Sequence, residues 1–263
     1  MTPGDAHRIA TPAIGNLREL GGRPTADGGT VARGVAYRSA ELAADAITDD
    51  EVVAALRVRT VVDLRTAAER LARPDVLPAG AHGVTLDVLA GLPAPTGPLA
   101  DLGRDPAALD GRLDHVDVVQ AMTGTYQALV ADPTARTAYA AFVRIVADPT
   151  SGPVLFHCTA GKDRTGWAAT VLLLAAGVDE DGAMEEFLAV NPAVRELFAR
   201  ALASLGPRAE VLLPAFEVRP EYLQAALTTV REQFGSFDGY LRGGLGLADD
   251  EVARLRRRLR PDQ

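Results

Sequence analysis

The stretch PVLFHCTAGKDRTGWAATVLLLAAG, residues 153–177, contains a strand, a short connection and a helix in direct succession. The apolar run 153–157 is short and predicts a buried strand. Residues 167–176 are apolar on nearly every side, which predicts a buried central helix with Gly177 as its natural C-terminal cap. A buried strand that leads directly into a buried helix is typical of an α/β fold.

The least common residue types of the chain lie within this stretch. Its one cysteine, one lysine and one tryptophan are Cys158, Lys162 and Trp167. A single thiol excludes an intrachain disulfide and the zinc-ribbon patterns that need several cysteines. Residues 157–166 are therefore the first candidate segment for a catalytic site.

The connection between strand and helix has the composition of an anion-binding loop. A loop that enters a helix presents backbone N–H groups and the positive end of the helix dipole, and both attract a phosphoryl group. Cys158 is the candidate nucleophile, since the same field stabilises its thiolate. Arg164 can bind two phosphoryl oxygens with its planar fork, and Thr165 can donate its hydroxyl to the thiolate. We therefore predict attack of Cys158 on phosphorus, a phosphocysteine intermediate and its hydrolysis by water, without a metal or cofactor.

The other residues of this loop have supporting roles in the same interpretation. Gly161 lets the backbone turn and approach an anion closely. His157 is expected to hydrogen-bond the loop and to help hold the thiolate. The residues expected to bind the phosphoryl group are Thr159, Ala160, Gly161 and Lys162.

Residues 157–166 resemble the signature loop of the cysteine-dependent protein tyrosine phosphatase superfamily. The version with Gly-Lys-Asp-Arg-Thr is similar to the bacterial tyrosine and dual-specificity phosphatases of the mycobacterial protein tyrosine phosphatase B type. The resemblance implies a central, mostly parallel sheet flanked by helices, with a helical C-terminal part and a helical lid at 183–217. Other stretches that fit the family are 16–22, 37–42, 62–65, 221–223 and 239–241.

Two carboxyl groups are the main candidates for the general acid that protonates the leaving group. Larger tyrosine phosphatases place this aspartate on a separate loop beside a tryptophan, but the only tryptophan here is Trp167. Resemblance to the Gly-Lys-Asp-Arg-Thr subgroup therefore favours Asp163, which could instead cap the helix. Asp63 follows a predicted strand and is the second candidate, or it tethers Arg164 or the loop. Asp132 is a third candidate and is typical of a turn.

The substrate class is left open between phosphoproteins and phospholipids. Phosphotyrosine proteins or peptides are the first expectation, with phosphoserine and phosphothreonine as further substrates. The pattern Cys-x-x-Gly-Lys-x-Arg is also similar to the loop of phosphoinositide phosphatases, where Lys162 would bind a second phosphate rather than remain a solvated charge. Arg18, Arg38 and Arg65 either line the same mouth or are surface residues.

Two other classes of function compete with a phosphatase. Rhodanese-like sulfurtransferases also place a cysteine in an anion-binding loop, but they usually lack the continuation 162–165. A catalytically inert module would bind phosphorylated partners without turnover, and the presence of Cys158, Arg164 and Thr165 argues against it. Phosphate release, persulfide formation and single-turnover assays distinguish the three.

The rest of the chain predicts strands early and helices late, in one phosphatase domain over 1–263. Two capping boxes, Thr48 with Glu51 and Thr66 with Glu69, predict helices that run to Arg57 and to Pro74. Residues 90–112, rich in Pro, Gly, Ala and Asp, predict a long surface loop. The remaining predicted elements are strands at 31–37, 60–64 and 83–88 and helices at 114–131, 134–147, 179–189, 192–204, 219–234, 236–242 and 248–259.

Charge and hydropathy exclude several partners. The net charge of −8 over 263 residues disfavours nucleic-acid binding. No run approaches the ~18 apolar residues of a membrane span, and the first thirty residues contain no apolar block typical of a signal peptide. We expect a cytoplasmic protein, with export without a signal left open. The basic run 254–260 either contacts anionic lipid or complements a helix dipole.

Overall fold

The computed structural model of the protein describes residues 6–92 and 117–260. A five-stranded sheet lies at its centre, in the order β1-β2-β5-β3-β4. The edge strand β1 is antiparallel to β2, and all the other neighbours are parallel. The predicted α/β class with a mostly parallel sheet is therefore confirmed. The strands are β1 Arg18–Glu19, β2 Ala36–Ser39, β3 Thr60–Asp63, β4 His82–Thr85 and β5 Val154–His157.

The strand that precedes the cysteine occupies the middle of the sheet. β5 pairs with β2 on one side and β3 on the other, and all four of its residues are buried. The register aligns Ser39 and Asp63 with His157 at the carboxyl ends of the three strands. Ligands of parallel α/β sheets bind at this edge, because the loops that leave neighbouring strands meet there.

Helices surround the sheet and form the C-terminal part of the described chain. No helix in residues 6–92 or 117–260 is long and apolar enough to cross a membrane. The predicted lid region is helical, and whether it closes over a site stays a prediction, as does the single-domain organisation. The helices are α1 Glu51–Ala55, α2 Ala67–Ala72, α3 Val118–Ala131, α4 Pro133–Ala147, α5 Asp163–Ala175, α6 Glu180–Leu188, α7 Asn191–Leu197, α8 Ala199–Ser204, α9 Ala209–Phe216, α10 Pro220–Phe234, α11 Phe237–Gly239 and α12 Asp249–Leu259.

The predicted central helix is α5, which is buried along most of its length. Its indole anchor, Trp167, is fully buried and donates from Nε1 to the hydroxyl of Tyr240 at 3.2 Å. Gly177 follows the helix with φ +86°, and its N–H donates to the carbonyl of Leu174. The prediction that this glycine ends the helix is confirmed, because a left-handed residue there lets the chain bond back to the last turn.

Several predicted element boundaries are wrong for local reasons. The strand predicted at 31–37 begins only at Ala36, the first residue that has a partner in β5. The capping box of Thr48 with Glu51 does not form, because Asp50 accepts from the N–H of Val53 at 2.9 Å and caps α1 instead. The second predicted box, Thr66 with Glu69, forms and begins α2.

The C-terminal helices differ more from the prediction. The helix predicted at 192–204 is interrupted at Phe198, which separates α7 from α8. Helix α9 lies within the lid region that the resemblance implies is helical, although the local pattern predicts no separate helix there because of Pro214. The carbonyl of Pro214 accepts from the hydroxyl of Tyr222 at 2.9 Å. The helix predicted at 236–242 is the short α11 followed by a π-helical turn, Tyr240–Gly244. Most of the loop predicted at 90–112 lies outside the described residues.

The bond between Trp167 and Tyr240 predicts a measurable contribution to stability. Tyr240→Phe leaves the buried indole N–H without an acceptor, and such a loss costs about 1–3 kcal/mol. Urea unfolding followed by circular dichroism should show a decrease of that size in the free energy of unfolding. Tyr37→Phe is the matched control, since the hydroxyl of buried Tyr37 has no hydrogen bond to the described residues. Equal stability of the two variants would contradict the prediction.

Candidate active site

A five-residue loop, residues 158–162, connects β5 to the first turn of α5. Cys158 begins the loop and is buried against the main hydrophobic core. In the part of the chain that the structure describes, no protein group accepts a hydrogen bond from the backbone N–H groups of residues 159–162. These donors lie at the N-terminus of a 13-residue helix, where the dipole is positive. The loop can therefore bind an anion through its backbone.

The carbonyl groups of this loop are held by donors from elsewhere in the chain. The carbonyl of Thr159 accepts from the N–H of Glu41 at 3.1 Å. The side-chain amide of Asn16 donates to the next two carbonyls, those of Ala160 and Gly161, at 3.1 and 3.2 Å. In a trans peptide the carbonyl and the following N–H point in opposite directions, so carbonyls bound to the protein leave the N–H groups facing away from it.

Gly161 is the one loop position where only glycine fits. Its φ is +68°, and a Cβ atom there would lie 2.2 Å from the carbonyl oxygen of Ser39. The close approach presses the loop against the end of β2. The turn expected at this glycine is therefore present, and it brings the loop to the carboxyl end of the sheet.

Arg164 forms a bidentate ion pair with Glu69. Its two terminal nitrogens each donate to one carboxylate oxygen of Glu69 at 2.7 Å. The hydroxyl of Thr159 joins the same pair, donating to Glu69 at 2.5 Å. This is the fork geometry that also suits a phosphoryl group. The residue that tethers Arg164 is therefore Glu69 and not Asp63, the alternative that the sequence offers. The local sequence pattern indicates Glu69 only as part of the cap of α2.

The carboxyl of Glu69 is strongly perturbed by this arrangement. Partial burial alone would raise its pKa, but the hydrogen bonds and charge of Arg164 outweigh burial. Together with the donors Thr159 and Thr66, they hold the pKa of Glu69 well below its usual range. Glu69 is thus a fixed negative charge that holds the Arg164 guanidinium through two hydrogen bonds.

Asp163 is the first residue of α5, and its carboxylate does not cap the helix. Lys162 occupies the N-cap position without a side-chain capping bond. The carboxylate of Asp163 accepts instead from the hydroxyl of Tyr126 at 2.9 Å and from the ammonium of Lys162 at 2.7 Å. The alternative of Asp163 as a cap is therefore wrong. Lys162 is buried and paired, so the alternative of a solvated charge is wrong too.

Tyr126 is a site residue that sequence reasoning missed. It lies on α3, 37 positions before Asp163, with nothing in its local pattern to mark it. Burial, and then the neighbouring carboxylate of Asp163, raises the pKa of the Tyr126 hydroxyl well above its usual value. The hydroxyl therefore stays protonated and acts as a donor to Asp163.

Asp63, the second candidate acid, is occupied by another arginine. Its two carboxylate oxygens accept from Arg65 at 2.9 and 2.8 Å. Its nearest approach to His157 is 4.0 Å. His157 contacts Asp75 through Nε2 at 2.9 Å and the carbonyl of Cys158 through Nδ1 at 3.1 Å. The expected contact of the histidine with the loop is therefore present, and its role in holding the thiolate stays a prediction. Asp63 holds neither Arg164 nor the loop.

Asp63, Asp75 and His157 also have the composition of a metal site, since their ligand atoms lie within 4.8 Å of one another. Arg65 already donates to both carboxylates, at 2.8 Å to Asp63 and 2.6 Å to Asp75. A cation would have to replace that guanidinium, which is fully buried. The cluster is therefore an ion-pair network beneath the loop rather than a place for an ion.

The remaining arginines and Thr165 differ from expectation. Arg18, Arg38 and Arg65 neither line a mouth nor lie on the surface, because each is at most 1% exposed and ion-paired. Arg18 and Arg38 approach Glu186 of α6, at 2.9 and 3.5 Å. The hydroxyl of Thr165 is buried and has no hydrogen-bond partner in the described chain, so the bond expected with the thiol is not formed.

Comparison with known proteins identifies the class to which this fold and site belong. The model of the tyrosine phosphatase family matches residues 9–261. The chain therefore belongs to the tyrosine phosphatase family and is a hydrolase of protein phosphotyrosine. The resemblance drawn from residues 157–166 is thus confirmed.

Named relatives cover most of the chain. A Cupriavidus necator protein, named as a provisional tyrosine-protein phosphatase, is 34% identical over 254 residues, covering 95% of this chain and 87% of its own. The triple specificity protein phosphatase PtpB of Mycobacterium tuberculosis is 34% identical over 91% of this chain and 98% of its own. The crystal structure of P. aeruginosa TpbA aligns with a TM-score of 0.38 and 20% identity over 93% of this chain and 99% of its own.

Glu69→Gln should lower stability at neutral pH while keeping the cap of α2. Glutamine still fits a capping box, but it loses charged hydrogen bonds to Arg164, so we expect a loss of about 1–3 kcal/mol. The folded carboxyl has the lower pKa. The contribution of the ionised Glu69 carboxyl to the free energy of unfolding is therefore complete above the pKa of an unfolded glutamate, about 4.3. It is lost as the pH falls from there toward the pKa in the folded protein.

Urea unfolding at several pH values tests this expectation. The difference between wild type and Glu69→Gln should narrow as the pH falls below about 4. Glu51→Gln is the control, since Glu51 is an exposed glutamate in the first turn of α1. A difference that stays constant from neutral to acid pH would show that the charge of Glu69 does not stabilise the fold.

Proposed function

We propose that the protein hydrolyses phosphotyrosine in proteins and peptides through a phosphocysteine formed on Cys158. The observation that carries the proposal is the set of backbone N–H groups at 159–162 that have no acceptor among the described residues, next to the one thiol and at a helix N-terminus. Such donors suit the equatorial oxygens of a phosphoryl group, whose charge they stabilise during transfer. Arg164 adds a planar fork at the same helix turn.

The reaction has two steps in this proposal. The Cys158 thiolate attacks phosphorus, the bond from phosphorus to the tyrosine oxygen breaks, and Asp163 gives its proton to the leaving phenolate. A water molecule then attacks the phosphocysteine, Asp163 takes up its proton, and the thiolate leaves. The hydroxyl of Thr165 has no competing partner in the described chain and can turn to the departing sulfur.

The surroundings of the two carboxyl groups support Asp163 as the acid. After it gives up its proton, Asp163 is a carboxylate, and Tyr126 and Lys162 already donate to that position at 2.9 and 2.7 Å. Asp63 is committed to Arg65 by two hydrogen bonds.

The substrate range extends the proposal to other phosphate esters. Because the M. tuberculosis relative is named a triple specificity phosphatase, we include phosphoserine and phosphothreonine peptides. A phosphoinositide would need the charge of Lys162, which is paired with Asp163 at 2.7 Å. That pair favours phosphopeptides. The preference for phosphopeptides over phosphoinositides is tested by phosphate release from a panel of phosphotyrosine, phosphoserine, phosphothreonine and phosphoinositide substrates.

Cys158→Ser should abolish turnover while preserving phosphopeptide binding. A serine hydroxyl is far less ionised than a thiol, so attack fails while the backbone donors remain. Phosphate release measures the first effect and calorimetric titration with a phosphotyrosine peptide measures the second. Residual activity within about tenfold of wild type would remove Cys158 as the nucleophile. Persulfide formation from thiosulfate in the wild type, without phosphate release, would favour the sulfurtransferase.

Asp163→Asn should slow hydrolysis of phosphotyrosine peptides by about 10²–10⁴, the usual contribution of a positioned acid. Aryl phosphates with activated leaving groups should be affected much less, because they leave without a proton. The measured quantity is the ratio of kcat/KM between the two substrates. Asp63→Asn is the paired control and should leave that ratio unchanged. If Asp63→Asn alone changes the ratio, the acid is Asp63.

A further inference from the structure

Asn16 reaches the active-site loop from the other end of the chain. It is buried, has a left-handed backbone with φ +52°, and lies 144 residues before Ala160. Its amide nitrogen donates to the carbonyls of Ala160 and Gly161 at 3.1 and 3.2 Å. No element of the reaction as proposed uses this residue, although the sequence stretch that contains it, 16–22, fits the family.

Arg38 holds the same part of the loop. Its Nη2 donates to the carbonyl of Gly161 at 2.6 Å, and the side chain is fully buried at the end of β2. Its distance to the carboxylate of Glu186 is 3.5 Å, longer than the 2.9 Å of the pair between Arg18 and Glu186. The guanidinium of Arg38 is thus bonded more closely to the loop than to a carboxylate.

The orientation of the Asn16 amide is determined by the loop. Both of its near neighbours are carbonyl oxygens, so only the NH₂ group can face them. The price is a buried Oδ1 that has no partner among the described residues. An unpaired buried acceptor is unfavourable, and the fold tolerates it at the place where two carbonyls are held. The asparagine at position 16 is therefore explained by its bonds to the loop rather than by its own turn.

Holding these two carbonyls fixes two of the N–H groups. Peptide planarity turns the N–H of Gly161 away from Asn16 when the carbonyl of Ala160 faces it. The carbonyl of Gly161 fixes the N–H of Lys162 in the same way. Both N–H groups belong to the set that has no acceptor among the described residues. Without Asn16 and Arg38, either peptide could rotate and present a carbonyl, which repels an anion.

We propose that Asn16 and Arg38 are positioning residues that keep the loop in its anion-binding form before substrate arrives. The inference rests on the proposed function, because it deepens the account of the same loop. It assigns no contact with substrate to either side chain. Binding of a phosphoryl group then needs no rearrangement of the backbone, which lowers the free-energy cost of binding.

The test measures binding of tungstate, a tetrahedral dianion, by calorimetric titration of the whole protein. Asn16→Asp keeps the shape and tolerates the left-handed backbone, but it replaces the donor by an acceptor. Asn16→Gly removes the side chain and relaxes the backbone. We expect both variants to bind tungstate about tenfold more weakly or worse, with melting curves that confirm a folded protein.

A third variant tests the second residue, and a fourth is the control. Arg38→Lys keeps the charge but loses the planar fork, and it should weaken tungstate binding as well. Thr60→Val is the control, because the buried Thr60 hydroxyl donates to the carbonyl of Ser151 at 2.8 Å, at the opposite end of the sheet from the loop. It should lower stability and leave tungstate affinity unchanged.

The outcomes separate this inference from the proposed function. If the wild type hydrolyses phosphotyrosine and Asn16→Gly binds tungstate as tightly as wild type, the positioning role is wrong and Asn16 serves only its own turn. If no phosphate ester is hydrolysed but tungstate binding falls in the Asn16 variants, the positioning role holds and the proposed reaction fails. Should Asn16→Asp fail to fold, Asn16→Gly and Arg38→Lys decide the question.

Discussion

The active-site loop depends on one property of the peptide bond, that a carbonyl and the next N–H point in opposite directions. An anion-binding loop must present several N–H groups together, which requires that the matching carbonyls bond elsewhere. Residues 158–162 meet this requirement with donors from His157, Glu41, Asn16 and Arg38. The position of β5 between β2 and β3 brings these donors within reach.

Two ion-pair networks adjoin this loop. The buried network of Arg65 with Asp63 and Asp75 supports His157, which in turn contacts the loop. The pair of Arg164 with Glu69 holds the guanidinium at the first turn of α5. In the reaction we propose, Glu69 competes with the phosphoryl group for Arg164, since one fork cannot bind two anions with all its donors. The proposal therefore requires that substrate share or displace the Glu69 carboxylate.

The sequence predicted the parts of the site that are close together in the chain. The spacing from Cys158 to Arg164, the strand before it and the helix after it are local, and local pattern suffices to place them. The partners that complete the site are distant in sequence, and pattern gives no distance between them. Glu69 illustrates the limit, because its capping box with Thr66 was predicted, whereas its bond to Arg164 joins positions 95 residues apart.

Burial explains why Arg18, Arg38 and Arg65 neither line a mouth nor lie on the surface. It also explains why the surroundings of Asp63 and Asp163 differ. A polar residue on or just after a strand can be exposed or can enter a buried pair, and Arg18, Arg38 and Arg65 all enter buried pairs. The ion pair of Arg65 with Asp63 encloses the Asp63 carboxylate. Asp163 lies at the start of α5 with 22% of its side chain exposed. Solvent therefore reaches the Asp163 carboxylate within its pair with Lys162, whereas the Asp63 carboxylate is 5% exposed and enclosed by Arg65.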